Sequence, residues 1–514
     1  MNNKKILYAF LTAALVFVSC TPATGDSGNK LVILHTNDTH SQILPGDDGL
    51  GGVMRRKAVI DSIRAAEKNV LLVDAGDAVQ GTLFFFLYGG KVEQEIMNIL
   101  EVDARILGNH EFDNGIDSLS AVLAASKSSK ISSNYALNNS ALKGQFEPYI
   151  IKEYGNKKIG IIGINLDPVG MIAKGNYDGL EFLPIVATAN LTAEKLKSEN
   201  GVDAVVALTH IGYNPKGLIG DSILATNTRN IDIIIGGHSH DTIDPTTEQG
   251  ARRSRLTNLD GKEVLVVQTG KAGRKLGKIE INLDSLGLGA SHKYELITID
   301  SQYDTFNDDA LASVIEHYSA GVDSLMHLWV GESVRALSNS DIALINYFSD
   351  FVYDTGKTMA PNIDLAIANK GGLRAGIPEG KFSKGHIINM VPFANYITIV
   401  DIEGSDLAEV FDVMAYTGGN GVSRNVSARY TRTDTDAKAV EVLINGKPLN
   451  PDKIYRVATI DYLAKGGDYM TGLTRGNIIA QSTEKVFDDL LNYISSGNGA
   501  KIGEDSINRW KLEN

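Results

Sequence analysis

Five short β-branched runs in the first half of the chain each give way to a loop that carries aspartate, asparagine or histidine. The runs are Leu31-Val32-Ile33-Leu34, Val70-Leu71-Leu72-Val73, Arg105-Ile106-Leu107, Val205-Val206-Ala207-Leu208 and Ile231-Asp232-Ile233-Ile234-Ile235. Apolar runs of this length, without alternation, read as buried strands. Between them, Arg55 to Glu67, Val92 to Leu100 and Ile116 to Ala125 have the apolar spacing of helices. Strand and helix therefore alternate, which predicts an α/β domain over residues 31–303 with its functional loops at strand C-termini.

Those loops are Asn37-Asp38-Thr39-His40, Gly76-Asp77, Gly108-Asn109-His110-Glu111-Phe112-Asp113, Thr209-His210 and Gly236-Gly237-His238-Ser239-His240. They take five of the ten histidines in the chain. Any one of these residues could cap a helix or close a strand, but five segments of metal-ligand types after strands point to a metal centre. Residues two apart on extended chain point the same way, so Asp38 with His40, and His238 with His240, are each expected to clamp one cation. Asp77 is the natural carboxylate to bridge two ions, with Asp38, His40 and His240 completing one site and Asn109, His210 and His238 the other. Two divalent ions outweigh two carboxylates, and the residual positive charge suits a phosphate. His110, with Asp113 three residues on, is the expected donor to a departing oxygen.

Acidic residues outnumber basic ones by 62 to 49, a formal charge of −13. A nucleic-acid binder needs a basic face, so that class is excluded and any phosphate must be met by local cations. At 514 residues, with 43% hydrophobic and 22% charged residues, the chain is long enough for two or more globular domains. Residues 304–330 show helical periodicity through Leu311, Val314, Ile315, Tyr318, Val322 and Leu325 and read as a connecting helix. Beyond it, residues 331–514 hold the strand-like stretches Ile363 to Ala368, Ile397 to Ile402 and Val440 to Ile444, and the hairpin turn Asn445-Gly446. At the other end, Lys4 and Lys5 precede an apolar run from Ile6 to Val18, too short to span a bilayer, followed by Ser19 and the lone Cys20. That order resembles a bacterial lipoprotein signal. It implies a signal over residues 1–20, lipid on Cys20, a flexible tether over 21–30, and a place in the cell envelope, periplasmic or cell-surface, with membrane contact only through the lipid.

Taken together, Asp-x-His, Gly-Asp, Gly-Asn-His-Glu-x-Asp, Thr-His and Gly-Gly-His-Ser-His resemble the calcineurin-like metallophosphoesterases, and within them the bacterial and animal 5′-nucleotidases, over the chain from Leu31 onward. The resemblance implies an N-terminal metallophosphoesterase β-sandwich flanked by helices, joined by a helix to a smaller α/β C-terminal substrate domain. It implies metal ligands at Asp38, His40, Asp77, Asn109, His210, His238 and His240, two divalent ions with zinc or manganese expected, and His110 with Asp113 as the catalytic pair. In the second domain, Asn369-Lys370-Gly371-Gly372-Leu373-Arg374, Val391-Pro392-Phe393 and Asp461-Tyr462-Leu463-Ala464-Lys465-Gly466-Gly467-Asp468 resemble that family's substrate segments. By that resemblance Asn369, Gly372 and Arg374 meet the substrate, Phe393 and Tyr462 sandwich the base, and Asp468 binds ribose hydroxyls. The chain departs from the pattern at Gln42, where some members have arginine. Arg335 is the nearest candidate for the family's second substrate arginine.

The implied reaction is release of phosphate from nucleoside 5′-monophosphates by attack of a metal-bound hydroxide, with a nucleotide as the partner and no nucleic acid. On the same fold, the alternatives are hydrolysis of nucleotide sugars or of di- and triphosphates, or 2′,3′-cyclic phosphodiesterase with 3′-nucleotidase activity. A non-catalytic nucleotide-binding surface protein would have lost metal ligands, whereas every ligand position is filled.

Overall fold

In the computed structural model, strand Lys30–Thr36 buries Leu31 and Ile33 on one face and Val32 and Leu34 on the other. A strand apolar on both faces has to lie between two layers. It is central in a six-stranded sheet ordered Lys293–Thr298, Lys275–Asn282, Lys30–Thr36, Val70–Asp74, Ala104–Arg105, Ser129–Lys130. A second sheet runs Thr242–Ile243, Glu263–Thr269, Ile233–Ile235, Ala204–His210, Lys157–Asn165, Tyr149–Tyr154, with Arg255–Thr257 beside Glu263–Thr269. The inner faces meet in one core, where Ile33, Val73 and Ile106 face Ile161, Val206 and Val267. Helices Val53–Ala66 and Lys91–Ile99 cover the outside of the first sheet, and Ile185–Ser198 and Asp221–Asn227 the outside of the second. The result is the α/β sandwich flanked by helices that the motifs implied. The described residues are 29–215, 217–286, 292–416, 418–433, 436–497 and 501–513; Cys20, the expected signal and the tether up to residue 28 lie outside them.

Pairing within each sheet explains where the loops gather. Lys30–Thr36, Val70–Asp74 and Ala104–Arg105 are mutually parallel, and so are Lys157–Asn165, Ala204–His210, Ile233–Ile235 and Glu263–Thr269. Parallel neighbours deliver all their C-terminal loops to one end of a sheet. The run expected at Arg105 to Leu107 pairs only over Ala104–Arg105; Ile106 and Leu107 stay buried but already lead into the loop that carries Asn109.

The connecting helix occupies Asp309–Met326, shorter at both ends than residues 304–330. Asp308 caps it by accepting from Leu311 N at 2.8 Å, and strand Trp329–Ser333 begins soon after it ends. Its Leu311 and Val314 pack on the first domain, and Leu325 and Met326 on the second. The second domain holds a five-stranded sheet ordered Gly421–Val422, Leu365–Ala368, Ile454–Ile460, Tyr396–Glu403, Asn477–Lys485, with a three-stranded and a four-stranded sheet beside it. Asn445 (φ 52°) and Gly446 (φ 72°) make the tight turn that pairs Ile444 with Lys447. Leu83, from the first domain's helix Leu83–Tyr88, is buried in the second domain's core, with Phe86 packed against it, so the two domains share apolar surface. Among the described residues no helix is long and apolar enough to cross a membrane.

Candidate active site

The ligand-type residues do not sit on extended chain. Asp38 (φ 50°), His40 (φ 48°), Asp77 (φ 53°), His238 (φ 76°) and His240 (φ 56°) all take the left-handed conformation, which corrects the expected same-side projection of the two pairs. Such residues cost about 1–3 kcal/mol each and persist only where surrounding structure holds them. Here the loop after Lys30–Thr36 is laced to the loop after Val70–Asp74: Asp38 N donates to Gly76 O at 2.9 Å, His40 N to Asp77 O at 3.0 Å and Ser41 N to Ala78 O at 2.9 Å. Side chains therefore converge through tight bends rather than through strand alternation.

They converge in two clusters, Asp38 with His40 and His240, and Asp77 with His210 and His238, with the ligand atoms of each cluster all within 4.8 Å of one another. The His238–His240 pair, expected to clamp one cation, is instead divided between the two because each takes its own left-handed bend. His240 Nε2 lies 3.4 Å from Asp38 Oδ1 and 2.9 Å from His40 Nε2. His210 Nε2 lies 3.1 Å from Asp77 Oδ2, and His238 Nδ1 lies 2.9 Å from Asn109 Oδ1. His210 Nδ1 is 2.7 Å from Ala75 O and His40 Nδ1 3.3 Å from Val79 O. With those Nδ1 atoms donating to the carbonyls, the buried Nε2 lone pairs are left aimed at other acceptors, an arrangement that fits a cation between them. Close approach demands glycine at Gly237, where a Cβ would stand 2.8 Å from His210 Nδ1 and 3.1 Å from Asp38 Oδ2.

Electrostatics point the same way. Burial would raise the Asp77 carboxyl, but His210 and His110 outweigh it and hold Asp77 well below the usual carboxylate range. Burial likewise opposes ionisation of Asp38, and His240 and His210 win. Burial lowers His238 to about 4, helped by the charge on His210, and pushes His40 well below its ordinary value, helped by Arg374. Both are neutral imidazoles at pH 7, as ligation requires. Burial would lower His210 as well, yet Asp77 and Asp38 hold it up at about 10, the mark of a field that favours a positive charge.

His110 stands at the start of the short turn His110–Phe112, its backbone N–H donating to Asp77 Oδ1 at 2.9 Å and its Nδ1 2.9 Å from Asp113 Oδ2. Burial lowers the imidazole, but Asp113 and Asp77 more than offset it and keep it above its ordinary value. From the second domain, the Phe393 ring stacks on His110 with centroids 5.8 Å apart and planes 30° off parallel. Arg374 Nη2 lies 3.4 Å from His40 Nε2. Asp468 is gripped by Asn369 Nδ2 at 2.7 Å and by the Tyr462 hydroxyl at 2.9 Å. A cavity of about 700 Å³ separates the domains, with Asp77, Asn109, His110, Asp113, His238 and His240 on one wall and Asn369, Gly372, Arg374, Phe393, Tyr462 and Asp468 on the other. Asp38, His40 and His210 are buried beneath its floor. Arg335 takes no part: its guanidinium is exposed and forks onto Asp341 at 2.6 and 2.9 Å.

Glu111 has a role that residue types alone did not suggest. Its buried carboxylate accepts from Asp77 N at 3.0 Å, Ala78 N at 2.9 Å and Gly108 N at 2.6 Å and pairs with Arg105 at 3.3 Å. It thereby ties the Asp77 loop to the Asn109 loop. The only signal in the chain was its place inside Gly-Asn-His-Glu.

Comparison with known proteins agrees with this geometry. Residues 31–242 match the calcineurin-like phosphoesterase family, and residues 321–475 the 5′-nucleotidase C-terminal domain. The chain is 30% identical over 488 residues to the snake venom 5′-nucleotidase of Naja atra, covering 85% of this chain and 90% of that one. It is 25% identical over 525 residues to the trifunctional nucleotide phosphoesterase protein of Bacillus subtilis, covering 92% of this chain but only 34% of that longer protein. The crystal structure of a 5′-nucleotidase precursor from Thermus thermophilus superposes with a TM-score of 0.82 at 27% identity, over 94% of this chain and 99% of the other. The chain is thus a phosphoric ester hydrolase of a class that works with two divalent ions. With a calcineurin-like phosphoesterase domain ahead of a 5′-nucleotidase C-terminal domain, it belongs to the 5′-nucleotidase family.

Proposed function

We propose that the chain releases phosphate from nucleoside 5′-monophosphates in the cavity between its domains. The carrying observation is the pairing of two metal-ligand clusters and His110 on one wall with Arg374, Phe393 and Asp468 on the other. Asp38, His40 and His240 would hold one divalent ion and Asn109, His210 and His238 the second, with Asp77 between them. Bound there, the ions would supply the positive charge that holds the phosphate and acidifies water. Arg374 presents a planar fork to phosphate oxygens, which a lysine could not do. Phe393 offers a face for the base, and stacking tolerates any base. Asp468, fixed by Asn369 and Tyr462, presents its carboxylate to ribose hydroxyls. At Gly372 a Cβ would lie 2.9 Å from Asn369 Oδ1, so a side chain there would press on the amide that grips Asp468.

His110, oriented by Asp113 and, against the lowering effect of burial, held above its ordinary value by Asp113 and Asp77, donates to the departing ribose oxygen. His110→Ala should keep the metals and lower kcat on AMP by about 10²–10⁴-fold. An ester with a good leaving group, p-nitrophenyl phosphate, should lose much less. Equal losses on both would place His110 on the phosphoryl group or the metals instead. The activity itself is tested by phosphate release from AMP, GMP, UMP, ADP, ATP, UDP-glucose, 3′-AMP and 2′,3′-cyclic AMP; a preference for any of the last five over the three 5′-monophosphates sinks the reading. Export and lipid attachment at Cys20 are proposed from sequence alone, and a Cys20→Ser protein that stays with the membrane fraction would contradict them.

A further inference from the structure

Asp221 opens the helix Asp221–Asn227 on the outside of the second sheet, yet its carboxylate is fully buried and faces the ends of the strands that lead to the histidines. Its Oδ1 accepts from Thr209 Oγ1 at 2.6 Å, beside His210, and its Oδ2 from Gln268 Nε2 at 2.9 Å. Gln268 is fully buried as well. Its Oε1 accepts from Ser239 Oγ at 3.2 Å, and its Nε2 lies 3.3 Å from Gly237 O. Ser239 stands between His238 and His240, so a chain of side chains runs from Thr209 through Asp221 and Gln268 to Ser239 with ligand-type residues at both ends. The backbone repeats the link: Asp221 N donates to Gly212 O at 2.8 Å, and Gly212 N to Gly237 O at 3.1 Å. The fit is close, because a Cβ at Gly236 would collide with Asp221 Oδ2. None of these four side chains lines the cavity, so any part they take in the reaction passes through the ligands.

The loop at the end of that chain gives His238 to one cluster and His240 to the other, so its position governs how the two sites stand relative to each other. Two-ion phosphatases need their ions about 3.5–4 Å apart. Both histidines also hold left-handed backbone, which persists only where neighbours enforce it. We propose that Asp221 is a positioning residue: through Thr209 and Gln268 it fixes the His238–His240 loop against the strand of His210 and so sets the spacing of the two metal sites. The proposal rests on the two-ion reading of the site and not on the nucleoside. A carboxylate suits this place because it accepts on both sides, whereas alanine would leave two buried donors unmet. Asparagine could also serve, its oxygen accepting from Gln268 and its amide donating to a Thr209 hydroxyl turned to accept.

The test loads the full chain with manganese and reads both dissociation constants by competition with a chelator. The electron paramagnetic resonance signal of an exchange-coupled manganese pair reports the spacing. In Asp221→Ala both constants should rise about tenfold, the lower end of what groups behind metal ligands contribute, and the coupled signal should weaken. Gln268→Leu, which cuts the chain one link further on, should act in the same direction on both ions. Asp221→Asn should stay within about threefold of wild type, since it keeps both contacts. Should Asp221→Ala fail to fold, Gln268→Leu and Ser239→Ala carry the test. A wild type with two manganese ions, and constants and coupling in the folded variants within about twofold of it, overturns the proposal and leaves the two-ion site standing, even if the metal-free variants melt at a lower temperature. A wild type that binds a single ion overturns both.

Discussion

Asp77→Ala is expected to leave a folded chain that holds neither divalent ion and has lost about 10³-fold or more in kcat/KM on any phosphate ester, since the charge that bound metals supply contributes several kcal/mol. Asp77 is the carboxylate at the crossing point of the site. Its Oδ2 is 3.1 Å from His210 Nε2, its Oδ1 accepts from the His110 backbone, and its own carbonyl accepts from His40 N. Asp38 also comes within 3.9 Å of His210 across the two clusters, but it is on Asp77 that the charges of His210, His110 and His40 all act. Elemental analysis of the purified variant is the direct check, with circular dichroism to show that Glu111 and Arg105 still hold the loop. One site still full would remove Asp77 from the bridging role. Two sites full with activity lost would move its contribution from metal binding to the orientation of His110.

What could be read from the chain, and what could not, divides along physical lines. Leu31 to Leu34 or Val205 to Leu208 announce themselves as strands because burial on both faces requires uninterrupted apolar residues. The two clusters of ligand-type residues are legible because the residue types that cations select stand out after the strands. The left-handed backbone at Asp38, His40, Asp77, His238 and His240 has no such signature, since aspartate and histidine are tolerated there but nowhere required. Glu111 was hidden for a related reason: a carboxylate that accepts three backbone N–H groups looks in sequence like any acidic residue. The sharing of Leu83 and Phe86 across the domain boundary is a long-range packing fact that no local pattern carries. It also has a practical consequence. A chain cut near Ser301 would lose Leu311 from the first domain's core and bare Leu83, so point variants are the cleaner way to separate the work of the two domains.

Phe393→Ala combined with Tyr462→Ala should lower kcat/KM for AMP by about 30-fold to 10⁴-fold, the equivalent of about 2–6 kcal/mol if each ring provides one face of a base stack. The geometry says the two losses differ in kind. Phe393 stacks directly on His110, so its removal also frees the His110 imidazole and should reach p-nitrophenyl phosphate to a lesser degree. Tyr462 touches no residue of the metal clusters; its hydroxyl donates to Asp468 Oδ1 and accepts from Asp468 N. Tyr462→Ala alone should therefore spare p-nitrophenyl phosphate while weakening AMP, and Tyr462→Phe should recover the stacking part but not the grip on Asp468. The ratio of AMP to p-nitrophenyl phosphate kcat/KM across wild type and these variants is the measurement. If that ratio stays at its wild-type value in the double variant, the second domain does not read the nucleoside. The metal clusters would then serve a phosphate ester of another kind, held by Arg374 alone.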